Sequence, residues 1–128
     1  LAHLRGGAQH ALVFKRVKTV AQLDAALAQS GGKTVMLDFY ADWCVSCKEM
    51  EKLTFIDERV QAKLANTLLL QVDVTANDAA DKAMLKRFTL FGPPAIILFD
   101  SNGKEIADSR VIGYQDPQKF LNSLGKLN

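Results

Sequence analysis

The chain has 128 residues, 48% of them hydrophobic and 23% charged, and its 16 basic and 14 acidic side chains leave a formal net charge of +2. That size and composition suit one compact domain with a real core and exclude a disordered chain. The charges are scattered, without the basic block of a nucleic-acid or anionic-membrane binder, and no run approaches the roughly 18 apolar residues of a membrane span.

The opening stretch, "LAHLRGGAQHA", has a glycine pair and no sustained periodicity, so residues 1–12 read as a linker or tail and residues 13–128 as the folded domain. The chain opens on Leu1 rather than Met, as expected of a piece of a longer precursor whose leader or membrane spans would lie outside it. "LVFKRV" predicts a first strand, and "TVAQLDAALAQSGG" sets Val20, Leu23, Ala26 and Leu27 at helical spacing before a Gly-Gly stop. "TVMLDFYA" is a nearly continuous apolar run, the pattern of a central strand covered on both faces.

The segment that follows, "DWCVSCKEMEKLTF", turns helical, and "DERVQAKLA" predicts a further short helix. "TLLLQVDV" is a second buried strand, and "NDAADKAMLKRF" is a helix capped by Asn77 or Asp78. Beyond "GPP", "AIILFD" and "EIADSRVIGY" predict two strands around the turn "SNG", a hairpin signal, and "DPQKFLNSLGKL" closes as a helix with Pro117 in its first turn. The alternation predicts an α/β fold with a mixed central sheet. It should be parallel where helices cross over and antiparallel in the C-terminal hairpin, with helices on both faces. Sites in such sheets gather at the carboxyl ends of the strands, and Cys44 lies just past one.

Both cysteines of the chain, Cys44 and Cys47, stand two residues apart. Zinc wants four ligands, and the only histidines, His3 and His10, fall in the tail, so a Cys2His2 site would need that tail to fold back. A structural staple across two residues would close too small a loop to remove much unfolded-chain entropy. A Cu(I) site on the two thiolates alone stays open. Redox chemistry has a positive argument. A helix that starts at Cys44 or Val45 puts the first sulfur at its amino end, where free N–H groups and the macrodipole stabilise a thiolate. Cys44 is then the nucleophile, and Cys47, one turn deeper, is the resolving thiol.

With "WCVSCK", the strand before it and the later "GPPAIILF", the sequence resembles the thioredoxin superfamily over residues 14–124. More narrowly, "VMLDFYADWCVSCKEMEKLTF" and "VDVTAND" resemble the C-terminal periplasmic domains of the DsbD family of thiol:disulfide interchange proteins. The resemblance implies a thioredoxin fold and a protein-disulfide reductase without metal or organic cofactor. It further implies a soluble, monomeric periplasmic domain of an inner-membrane protein. Its partners would be a transmembrane donor domain and an N-terminal periplasmic acceptor domain of the same parent. A general thioredoxin-like reductase or isomerase with other partners is the alternative on the same fold.

The resemblance also assigns roles. Asp38, a charge inside the run Val35 to Tyr40, would be the buried acid that accepts the resolving thiol's proton through water. Glu51, four residues after Cys47, would share the cysteine face and modulate the thiol pKa, whereas Glu49 is surface charge. Pro94 would be the cis-proline against the cysteines, with Pro93 stiffening that loop and Ala95 standing where threonine is common. Trp43 would cover the nucleophile, Tyr40 and Phe91 would rim the same surface, and Gln71 stands where many thioredoxins keep a lysine near the buried acid. Asp38, Asp42 and Glu51 surround the dithiol with negative charge, and no cation lies between the cysteines. A weakly acidic nucleophile and a reducing couple are therefore expected.

Overall fold

The structure, a computed structural model, describes residues 12–127. Of the expected tail, residues 1–11, including His3 and His10, lie outside the described residues; Leu12 packs partly buried against the core together with Phe14. Five strands form one sheet in the order β1-β3-β2-β4-β5. In chain order the elements are β1 (Lys15–Arg16), α1 (Val20–Ala28), β2 (Val35–Tyr40), α2 (Val45–Glu49), α3 (Glu58–Lys63), β3 (Leu68–Asp73), α4 (Ala79–Arg87), β4 (Ala95–Phe99), β5 (Val111–Ile112) and α5 (Pro117–Leu124). A π-helical turn, Met50–Thr54, continues α2 without a break.

Every residue of β2 is buried, as its uninterrupted apolar run requires of a strand covered on both faces. One face holds Leu37, Phe39, Leu70, Val72 and Ile97 with Leu23 of α1 and Met84 of α4. The other holds Met36, Met50, Phe55, Ile96, Leu98 and Phe120. The helices begin where short polar side chains satisfy their first free amides. Thr19 caps α1 in a box with Gln22, Asp57 caps α3, Asp78 caps α4 in a box with Asp81, and Asp116 caps α5 ahead of Pro117.

The expected fold class holds, with two corrections of detail. β1 and β2 run parallel to β3, but β4 runs antiparallel to β2 as well as to β5, so a helix between two strands did not make them parallel here. α4 is nine residues long, as α1 is, but α1 returns the chain to start a parallel strand and α4 does not. Asn77, before it, and Thr89 to Phe91, after it, line one cleft of about 600 Å³, so β4 starts at the end where β3 finished.

The second strand of the hairpin is also shorter than expected. After a single bridge from Glu105 to Phe99, the chain turns out at Asp108, whose φ of 54° is left-handed, and pairs again only at Val111 and Ile112. Arg110 holds this excursion by donating to Glu105 at 2.7 Å and to the Phe88 carbonyl at 2.6 Å.

Phe120 is wholly buried, in ring contact with Phe55 across the second core. Phe120→Ala is expected to lower the free energy of unfolding by about 3–5 kcal/mol, read as a shifted urea midpoint; a loss below 1 kcal/mol would mean the site collapses around the cavity.

Candidate active site

Cys44 and Cys47 form a disulfide with Cα atoms 5.2 Å apart, just beyond the carboxyl end of β2. Cys44 occupies the cap position of α2, and its sulfur accepts the Cys47 amide at 3.1 Å. The sulfur thus does what a Ser or Asp oxygen does at other helix starts, and a thiolate there would be a charged cap. Both cysteines are nearly enclosed, while their neighbours Trp43 and Val45 stand out into solvent, 60% and 73% exposed. The Cys47 sulfur lies 3.8 Å from the Phe39 carbonyl oxygen, so the pair rests on the last turn of the central strand.

Below it, Asp38 is buried and has one hydrogen-bond partner in view, Gln71, whose Nε2 donates to Oδ2 at 2.8 Å. Burial pushes its carboxyl up to about 7; Gln71 opposes the rise, nearby Glu51 adds to it, and the Arg16 charge opposes it. Glu51 is half-buried in the π-helical turn and, with Arg16, Gln71, Phe14 and Phe55, lines a cleft of about 480 Å³ beside Asp38. The extra residue per turn there keeps Met50 and Thr54 pointing inward and sets Glu51 at the margin of the cysteine-bearing face. Glu49 is exposed, as surface charge should be.

Of the other expected residues, Pro94 follows a cis Pro93–Pro94 bond and opens β4. Ala95 pairs with Phe39, which puts this loop at the same end of the sheet as the disulfide. Trp43 is not core packing: its indole N–H donates to the Thr75 carbonyl at 3.2 Å, pinning the ring beside the cysteines. Phe91 is fully exposed, as a rim residue would be.

Tyr40 is not at the rim; it is buried, and its hydroxyl donates to Asp42 at 3.0 Å while receiving Lys48 Nζ. Lys48, raised above the usual lysine range chiefly by that bond, and Arg16 both lie against its ring, at 4.9 and 5.7 Å from the centroid. Asp42, one of the three acids expected around the dithiol, accepts a hydrogen bond from the Tyr40 hydroxyl and lies within reach of the Lys48 charge.

Arg16, Lys48 and Thr75 escaped the sequence-based reading. Lys48 follows Cys47 directly and could have been weighed; Arg16 and Thr75 come from other strands and leave no local signal.

The description "Thioredoxin-like domain" matches residues 21–128. The chain belongs to that family. This thioredoxin-like domain is 59% identical over 115 residues to the thiol:disulfide interchange protein DsbD of Ralstonia nicotianae, an alignment covering 88% of this chain and 19% of that protein. It is 57% identical to DsbD of Yersinia pestis, with 87% and 19% covered. It thus spans about a fifth of the length of these curated relatives. Among solved structures it is similar to the DsbD C-terminal domain of Neisseria meningitidis. The reduced form gives a TM-score of 0.74 at 33% identity, covering 89% of this chain and 100% of that one. The oxidised form gives 0.70 at 36% identity, covering 84% and 91%. Fasciola hepatica thioredoxin, 20% identical with a TM-score of 0.69 over 90% of this chain and 100% of that one, shows the shared fold.

Because folding raises the Asp38 carboxyl from 3.8 to about 7, the native state holds that proton more tightly than the unfolded chain does. The stability this group contributes is full below pH 3.8 and is lost as pH rises through about 7. Asp38→Asn, which cannot ionise, should therefore be more stable than the parent at pH 8.5 by on the order of a few kcal/mol, with the gap closing towards pH 4. Urea unfolding of the oxidised proteins at the two pH values reads this directly. Equal midpoints at both would show that Asp38 ionises without cost.

Proposed function

We propose that this domain is a protein-disulfide oxidoreductase that works as a reductase, taking electrons from a membrane-embedded donor domain and passing them to a periplasmic acceptor domain or protein. The observation that carries it is the Cys44–Cys47 pair at a helix start, just past the strand that holds a buried Asp38 whose carboxyl is pushed up to about 7. The similarity to DsbD supports the choice of donor and acceptor, with the donor in the membrane and this domain in the periplasm. No helix among the described residues is long and apolar enough to cross a membrane.

In the forward direction the reduced Cys44 thiolate attacks one sulfur of the acceptor's disulfide, forming a mixed disulfide and releasing the acceptor's other sulfur as a thiolate. Cys47 gives its proton to Asp38, through water, and attacks the Cys44 sulfur. The mixed bond breaks, the acceptor leaves as a dithiol after taking up protons, and Cys44–Cys47 closes. Two electrons have moved, and the donor domain's dithiol restores the pair by the reverse exchange.

The proposal gives each residue a role. Asp38 and Glu51 modulate the thiol pKa, Trp43 shields Cys44, and the Pro93–Pro94 loop lines the docking surface. Negative charge beside a dithiol favours the neutral thiols over the thiolate, which makes the couple more reducing. Docking of a partner shifts the surroundings of Asp38 and Glu51 and activates Cys44.

Equilibration with glutathione buffers should place the couple well below the roughly −180 mV of protein disulfide isomerase; a value at or above it would make the domain an oxidase or isomerase. Cys44→Ser should abolish disulfide reduction, and Cys47→Ser should accumulate mixed disulfides at Cys44. Recovery of cytosolic reductase substrates alone in such a trap would reject the proposed partners. In the reduced protein, Asp38→Asn and Glu51→Gln should each lower the Cys44 pKa, followed by thiolate absorbance; two unchanged titrations would remove both acids from the mechanism.

A further inference from the structure

Arg16, Gln71 and Asp38 stand in one row across three strands. Arg16 of β1 is paired with Gln71 of β3, and Gln71 is paired in turn with Asp38 of β2, so the three side chains emerge in register. Arg16 Nε donates to Gln71 Oε1 at 2.6 Å, and Gln71 Nε2 donates to Asp38 Oδ2 at 2.8 Å.

An amide has one accepting and one donating end, while a guanidinium only donates. The bond from Arg16 therefore decides which way Gln71 points: its oxygen faces the cation and its NH2 group faces the carboxyl. With that polarity Gln71 supports the carboxylate. With the amide turned over, its oxygen would oppose a carboxylate and accept a hydrogen bond from the protonated acid instead.

A surface arginine is usually free to wander, but this one is held on three sides. Another of its nitrogens lies 3.2 Å from Asp73 Oδ2, and its guanidinium lies over the Tyr40 ring. Asp73 is fixed in turn by the Thr75 amide at 2.9 Å and by the Thr75 hydroxyl.

We propose that Arg16 is a positioning residue of the redox site: it locks the orientation of the Gln71 amide and, through it, serves as the remote counter-charge of Asp38. This rests on the disulfide-exchange function proposed above and names a control element of the same site. The charged groups that act on Asp38 are Glu51 from the π-helical turn and, behind Gln71, Arg16 with its partner Asp73; its register partner on β4 is the apolar Ile96. Arg16 is the one cation in that set. When Asp38 takes the proton of Cys47, it passes from carboxylate to acid, so the amide that Arg16 orients sets how readily that transfer occurs.

The test is carbon-detected titration of Asp38 in the oxidised 128-residue protein, compared among the parent, Arg16→Lys and Arg16→Met. Arg16→Met should raise the Asp38 midpoint by about one pH unit, a tenfold gain in proton affinity. Arg16→Lys, which still donates and carries the charge, should recover at least half of the shift. The pH profile for release of a Cys44 mixed disulfide should move upward with the titration. In a Gln71→Met background the Arg16→Met shift should fall below half its size.

Unfolding midpoints identify any variant whose fold is damaged, and Arg16→Gln, which also removes the charge, serves in place of a damaged Arg16→Met. An unmoved Asp38 midpoint in folded Arg16→Met or Arg16→Gln overturns the proposal, as does a full shift persisting without Gln71. Failure of the underlying function would look different: the parent protein would exchange no disulfides with any protein, whatever Asp38 does.

Discussion

A buried aspartate sits in the middle strand of the sheet, where both faces are covered. A lone carboxylate there is costly, so the residues nearest Asp38 are the ones that can answer a charge: an amide from β3, a guanidinium behind it, and a second acid held at the margin. The result is a group that neither ionises freely nor stays protonated through the physiological range. It lies in the strand that ends just before a helix start whose cap atom is sulfur, and the sheet holds it in place.

The rest of the fold serves this placement. α4 does not return the chain across the sheet, so β4 begins at the end where the disulfide lies and brings the Pro93–Pro94 loop there. Phe91 just before that loop, and Trp43 and Val45 on either side of Cys44, are exposed, while both cysteines are nearly enclosed. Stability and function are carried on different faces of the same elements: Met50, Phe55 and Phe120 pack one core, while the turn that carries Met50 also sets Glu51 beside Asp38.

Much of this was legible in the sequence, because the signals were local. Asp57, Asp78 and Asp116 announce helix starts, the run from Val35 to Tyr40 announces a central strand, and two cysteines at a helix start announce their chemistry. What failed were statements that depend on direction or on neighbours from elsewhere. The polarity of β4 follows from how far α4 travels, which periodicity does not encode. A strand buried on both faces has no in-and-out alternation from which the burial of Tyr40 could be read, and the hydrogen bond from its hydroxyl to Asp42 leaves no local signal either. Gln71 was recognised as replacing a cation, but the cation's actual position, one strand further out on Arg16, exists only in the register of three strands.

That register also fixes where the first strand begins. β1 runs parallel to β2 and β3, and the chain enters at Leu12 against Lys33, Thr67 and Leu68, at the amino ends of those strands and therefore at the pole opposite Cys44. The start of the first strand and the redox pair thus occupy opposite ends of the sheet, so a change at the surface around Lys33 and Thr67 reaches the disulfide only through the length of the strands between them.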